Sequence, residues 1–220
     1  MTNARKVLVV SAHPDDETIG AGGTILRHVA LGDTVSWCVV TKGYTPKWSE
    51  EMLEAASRQV DEVASLYGFA SVHRLGLPTV RLNTVPHMEL CDKLKNVVDI
   101  VKPLVLYIPP ASDLNQDHRL VHEAALVAAR PLPGCSVQRI LSYEISTTSR
   151  YGFGVFVPTV YVDISEYLEK KMGIMAVYNT ELKEWPHPRS IEGLSVIAKE
   201  RGLAVGVDAA ECFDLVREII

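Results

Sequence analysis

Residues Val7–Ile25 read VLVVSAHPDDETIGAGGTI. Four apolar residues, Val7 to Val10, pass through Ser11 and Ala12 into His13, Pro14, Asp15, Asp16 and Glu17 with no spacer. Gly20, Gly22 and Gly23 then open what reads as a helix. A β-branched run, a loop and a glycine-started helix make a strand–loop–helix unit. Its loop sets one imidazole and three carboxylates at the carboxyl end of a buried strand, where open α/β sheets keep their chemistry. A dinucleotide loop is a poor match. Ile25 occupies the place of the third glycine in GxGxxG, and three carboxylates would repel a pyrophosphate. The glycines are better explained by close packing of the helix.

Outward from this unit the alternation continues. Strands are expected over Lys6–Ala12, Thr34–Val40, Val72–Leu75, Leu104–Ile108, Ile140–Glu144 and Val157–Ile164. Helices are expected over Gly22–Leu31, Ser49–Tyr67, His87–Val101, Asp117–Arg130, Ser165–Val177 and Ser190–Arg201. Ser49 is a natural cap and Gly68 a natural stop for the second helix. Thr147–Gly154 reads as a mobile loop, and Phe213–Ile220 fits no class. The pattern predicts an α/β sandwich on a mostly parallel sheet. Right-handed crossovers place the loops after strands one, two, four and five on one edge.

The chain of 220 residues suggests a single domain, 1–220, and its net charge of -5 gives no support for nucleic acid or an anionic membrane as partner. Cys38, Cys91, Cys135 and Cys212 are scattered with no CxxC pair, which points to reduced thiols in a cytoplasmic setting and away from a cysteine zinc site. No signal peptide or membrane span is expected.

His13 and Asp16 can turn toward one point in a tight loop, an imidazole and a carboxylate usable as zinc ligands, with Asp15 between them free to act as a base. The competing explanation is a set of acids offsetting a helix dipole. A second cluster follows the fourth strand: Asp113, Asn115, Asp117, His118 and His122. His118 and His122 share a helix face, but His118 sits at the loop–helix junction and His122 reads better as a helix residue. Two ligands from the first loop and one from the second make a three-ligand site with an open position for water, the arrangement of catalytic zinc.

The string Ala12-His13-Pro14-Asp15-Asp16-Glu17, with Asp117-His118-Arg119 downstream, resembles the PIG-L/LmbE-like family of zinc-dependent N-deacetylases. Weaker matches are Thr41-Lys42-Gly43, Arg58 and Glu62, Pro188-Arg189-Ser190, Arg201-Gly202 and Ala210-Glu211-Cys212-Phe213. The resemblance implies a Rossmann-like three-layer sandwich and hydrolysis of an N-acetyl group from an amino sugar such as N-acetylglucosamine. It implies that His13, Asp16 and His118 hold Zn2+, with Fe2+ as the other metal, and that Asp15 is the general base. It also raises the expectation of a homo-oligomer.

One position departs from the family pattern. Where the second motif usually begins with histidine, this chain has Asn115. Asparagine can donate a hydrogen bond to an oxyanion but cannot carry a proton at neutral pH. Asp15 then serves as base and acid, or His187 or His122 supplies the proton. Asp117 is expected to support the site from behind. Arg58 and Arg189 are candidate substrate contacts, Arg58 alternatively an ion pair with Glu62. Trp48, Tyr44 and Trp185 are candidate sugar-stacking walls. Two other functions fit the same residues: an amidase on a non-acetyl or thiol-conjugate amide, and a catalytically weak sugar- or metal-binding protein.

Overall fold

The computed structural model describes residues 4–220. Its elements are β1 (Lys6–Ser11), α1 (Asp16–Ala30), β2 (Thr34–Lys42), α2 (Glu50–Tyr67), β3 (Ser71–Pro78), α3 (His87–Val101), β4 (Val105–Ile108), α4 (Gln116–Ala128), β5 (Arg139–Tyr143), β6 (Val160–Asp163), α5 (Leu168–Met175), α6 (Ile191–Leu203) and β7 (Ala210–Glu218). The seven-stranded sheet runs β3-β2-β1-β4-β5-β7-β6. β1 to β5 are parallel, and β7 is antiparallel to both of its neighbours. This is the expected three-layer α/β sandwich with a mostly parallel sheet.

The strands are apolar on both faces because both are covered. Val7, Val9, Trp37 and Tyr107 pack with α1, α2, α5 and α6. Leu8, Val10, Val40, Leu106 and Ile108 pack under α3 and α4. Strand order reverses between β1 and β4, so the loops that leave those two strands part from a common crevice. Such a switch point is where open α/β sheets bind ligands.

Several boundaries differ from expectation. α1 begins at Asp16 rather than Gly22, which puts the glycines inside the helix. Their packing role holds. A Cβ on Gly20 would collide with the Tyr143 ring, and one on Gly23 would lie 2.6 Å from Ile164. α5 is shorter than expected because Ser165–Tyr167 forms a separate 3-10 turn. The segment read as a mobile loop is tied down: Thr148 Oγ1 and Ser149 Oγ donate to Asp113 Oδ2 at 2.9 and 2.8 Å. The unclassified tail is β7, inserted between β5 and β6.

β7 also reaches into α1. Glu211 accepts from the backbone N–H groups of Gly23 and Thr24, both at 2.8 Å, and from Thr24 Oγ1 at 2.6 Å. Lys171 Nζ pairs with Glu211 at 2.7 Å and donates to the Ile19 carbonyl at 2.9 Å. A buried ion pair is thus inserted beside the backbone ladder of α1 and fixes the helix whose first turn carries Asp16.

Candidate metal centre and active-site cleft

The β1–α1 turn is strained where its chemistry is concentrated. Asp15 holds φ at 104°, a region that costs a non-glycine residue on the order of 1–3 kcal/mol. That backbone lets His13 and Asp16 face one point while Asp15 points into the cleft. Asp16 Oδ2 accepts from the His13 backbone N–H at 2.8 Å, closing the turn.

From across the switch point, α4 brings His118. Asn115 caps this helix, its Oδ1 accepting from Asp117 N at 3.0 Å. His118 Nε2 lies 3.2 Å from His13 Nδ1 and 3.4 Å from Asp16 Oδ1. His13 Nδ1 lies 3.5 Å from Asp16 Oδ2. One donor atom from each of His13, Asp16 and His118 lies within 4.8 Å of the others.

The far side of each imidazole faces a carboxylate. Asp117 Oδ2 is 3.0 Å from His13 Nε2 and also accepts from Val80 N at 2.6 Å. Asp113 Oδ1 is 3.1 Å from His118 Nδ1, though out of line for a good hydrogen bond. With its outer nitrogen protonated against a carboxylate, each ring presents a lone pair inward. Two imidazole lone pairs and a carboxylate then converge on one point, and a divalent cation fits that donor set.

The surrounding carboxylates favour positive charge at this point. Burial opposes charge on His13, but Asp117 and Asp16 outweigh it and raise the group to about 10. Burial also opposes charge on Asp16, yet His118 and His13 hold its carboxyl well below the usual range. Asp15 moves the other way. Burial and the neighbouring Asp16 push it well above the usual range, against the pull of Arg189. The centre stabilises positive charge between the histidines and Asp16, and burial beside Asp16 raises the proton affinity of Asp15.

A cavity of about 520 Å3 opens from this point, reached by His13, Asp15, Asn115, Trp48, Tyr178 and Arg189. Arg189 Nη1 sits 3.5 Å from Asp15 Oδ2 and 2.9 Å from Glu181 Oε2. Trp48 stacks edge-on against Tyr44.

Other candidates lie elsewhere. Arg58 does not reach the cavity: its side chain is 71% exposed, and Glu54 rather than Glu62 is its partner, at 3.7 Å. At its place on α2 the helix turns it outward. His187 is exposed, its Nδ1 accepting from Arg189 N at 3.0 Å, so it shapes the loop that delivers Arg189. His122 is buried away from the centre, its Nδ1 2.8 Å from the Pro109 carbonyl. Trp185 is exposed and outside the cavity lining.

Four contributors were not assigned roles from sequence. Asp113 was visible only as one more acid in its loop. Tyr178 donates to Glu17 Oε1 at 2.8 Å and lines the cavity. Val80, β-branched with φ at 52°, aims its N–H at Asp117. Lys171 gave no signal at all.

The profile of a family described as PIG-L, GlcNAc-PI de-N-acetylase, matches residues 8–129, which include both histidine loops. The chain is 27% identical over 176 residues to a protein of Escherichia coli K12 named uncharacterized deacetylase YaiS, covering 74% of this chain and 85% of that one. It is 24% identical over 190 residues to a probable N-acetyl-alpha-D-glucosaminyl L-malate deacetylase 2 of Bacillus anthracis, covering 82% and 83%. The structure of conserved protein TT1542 from Thermus thermophilus superposes with a TM-score of 0.81 at 25% identity, covering 98% of this chain and 96% of that one. With more than half of its residues matched by the family profile, the chain belongs to the PIG-L family.

Proposed function

We propose that this protein is a metal-dependent N-deacetylase that removes the acetyl group from an N-acetylglucosamine-type sugar or glycoconjugate, with residues 1–220 acting as one catalytic domain. The observation that carries the proposal is the convergence of His13 Nδ1, Asp16 and His118 Nε2 beside the buried carboxylate of Asp15. The names of the Escherichia coli and Bacillus anthracis relatives support the acyl group, and the second supports the sugar.

His13, Asp16 and His118 would hold the ion, Zn2+ or Fe2+, and when bound it supplies Lewis acidity toward water and the amide carbonyl. Asp15, held by Arg189, takes a proton from the attacking water. Asn115 spends its Oδ1 on the cap of α4, which leaves its N–H2 to donate to the oxygen that gains charge. The bond between carbonyl carbon and nitrogen then breaks. Asp15 returns the proton to the departing amine, a role that falls to it because His187 and His122 lie elsewhere. Acetate and the free amino sugar result. Asp117 and Asp113 hold the imidazoles, and the four free cysteines agree with a cytoplasmic setting.

The test is to incubate zinc-loaded protein with methyl N-acetylglucosaminide, and with N-propionyl, carbamoyl and cysteine-amide analogues, and to quantify acid and free amine. Acetate and amine in equal amounts are expected. Hydrolysis confined to the other amides, or none anywhere, contradicts the proposal.

A further inference from the structure

The five apolar residues on the inner stripe of α2 are Leu53, Ala56, Val60, Val63 and Tyr67, at spacings of three and four. They form one face of a helix that ought to lie on the sheet. Val60, Val63 and Tyr67 do so and are fully buried. Leu53 and Ala56 are only half-buried although they continue the same stripe. Below them, in place of core side chains, lies the cavity that begins at Asp15.

Its boundaries are well defined. Val39 and Thr41 of β2 line it from the sheet and Val60 from α2. Trp48 and Leu53 form the wall near the mouth, packed over Gly43, where a Cβ would lie 2.6 Å from Leu53. Arg74 closes the outer end by crossing from β3 to α2, Nη2 to Asp61 at 2.6 Å and Nη1 to Ser57 at 3.2 Å. Gln59 ties α2 to Asn179 at 3.2 Å along the roof. Arg74 is neutralised by Asp61 and Arg189 by Glu181 and Asp15, so Lys42, exposed at the rim, is the one cation of the lining without a carboxylate partner among the described residues.

We infer that the crevice between the first half of α2 and strands β2–β3 is a binding site for an uncharged apolar aglycone, an alkyl or aryl group attached to the amino sugar. The inference rests on the deacetylase reading for its sugar, and on the crevice alone for its apolar part. The cavity as a whole, its His13–Asp15 end included, is of the size that encloses a medium-sized organic ligand rather than a few waters. An unfilled helix–sheet interface leaves apolar surface in water, and each methylene placed there strengthens binding about two- to fourfold. An anionic aglycone finds no buried unpaired cation to meet it.

The experiment compares methyl, butyl and octyl N-acetylglucosaminides as substrates of the zinc-loaded enzyme, with octyl glucoside, which has no acetamide, as a binding probe in calorimetry. The octyl-to-methyl ratio of kcat/KM is expected to exceed about 100. Ala56→Phe, which fills the crevice, should bring the ratio to within about threefold of one. Leu53→Ala, which removes wall without adding bulk, should lower it about tenfold. Equal turnover of all three glycosides overturns the inference and leaves the deacetylase reading standing. If none releases acetate, that reading fails, and the probe then decides the crevice. Octyl glucoside binding that Ala56→Phe abolishes supports the site, and no binding overturns it.

Discussion

At the His13–His118 end of the cleft, polar groups are held from behind. Asp117 and Asp113 back the imidazoles, Arg189 flanks Asp15, and strained backbone at Asp15 and Val80 aims what the carboxylates need. Under the first turns of α2 the cleft is lined by Val39, Trp48, Leu53, Ala56 and Val60, and the nearby Arg74 is paired with Asp61. The first region can serve one narrow kind of chemistry, because three lone pairs and a base are fixed together. The second can accept anything apolar of suitable size. On the proposed reading, reaction and selectivity would be carried by different parts of one cavity, and substitutions at one end should leave the signature of the other intact.

The largest effect should come from Asp15. Asp15→Ala is expected to lower kcat by about 100- to 10,000-fold while metal content, measured by mass spectrometry of the purified protein, stays at the wild-type level. Full activity in that variant would remove the general base from the proposal. Next is the clamp on α1. Lys171→Met strands Glu211 in the interior, and loss of one partner of a buried pair costs about 3–5 kcal/mol. In a chain of this size that lowers the melting temperature by about 6–20 °C, readable by calorimetry. Asp117→Ala should weaken zinc binding about 10- to 100-fold by releasing His13, measured by competition with a chelating dye. The smallest effect belongs to Arg58. Exposed and paired only with Glu54, it should change kcat/KM by less than about twofold when replaced by alanine. A large loss there would mean that α2 closes further over substrate than its position indicates.

What the sequence reveals depends on how local the physics is. His13, Asp15 and Asp16 lie within four residues and follow an apolar strand, so both the cluster and its place at a strand end could be read directly. His118 needed only a second buried strand, the fourth in the chain, with an acidic loop behind it. Asp113 could be seen but not assigned, because its role depends on which ring nitrogen of His118 turns toward it. Arg58 and Arg189 looked equivalent as candidates. One side chain leaves a helix toward solvent, while the other is delivered by a loop that His187 braces, and neither direction is written in residue type. β7 was unreadable because a strand inserted antiparallel between two others, buried at its start and half-exposed at its end, keeps no single period. The crevice was concealed by its own regularity. Leu53 and Ala56 continue the stripe of Val60, Val63 and Tyr67, so the sequence describes a helix seated along its whole length, whereas the structure seats only its second half.

The protein is proposed to use a metal held by His13, Asp16 and His118 to deacetylate an amino sugar. The most direct measurement is acetate release from methyl N-acetylglucosaminide before chelation, after removal of metal, and after zinc is added back. Activity, its loss, and its return at one zinc per chain are expected, with no return in His118→Ala. Undiminished acetate release from protein shown to be free of metal would contradict the proposal.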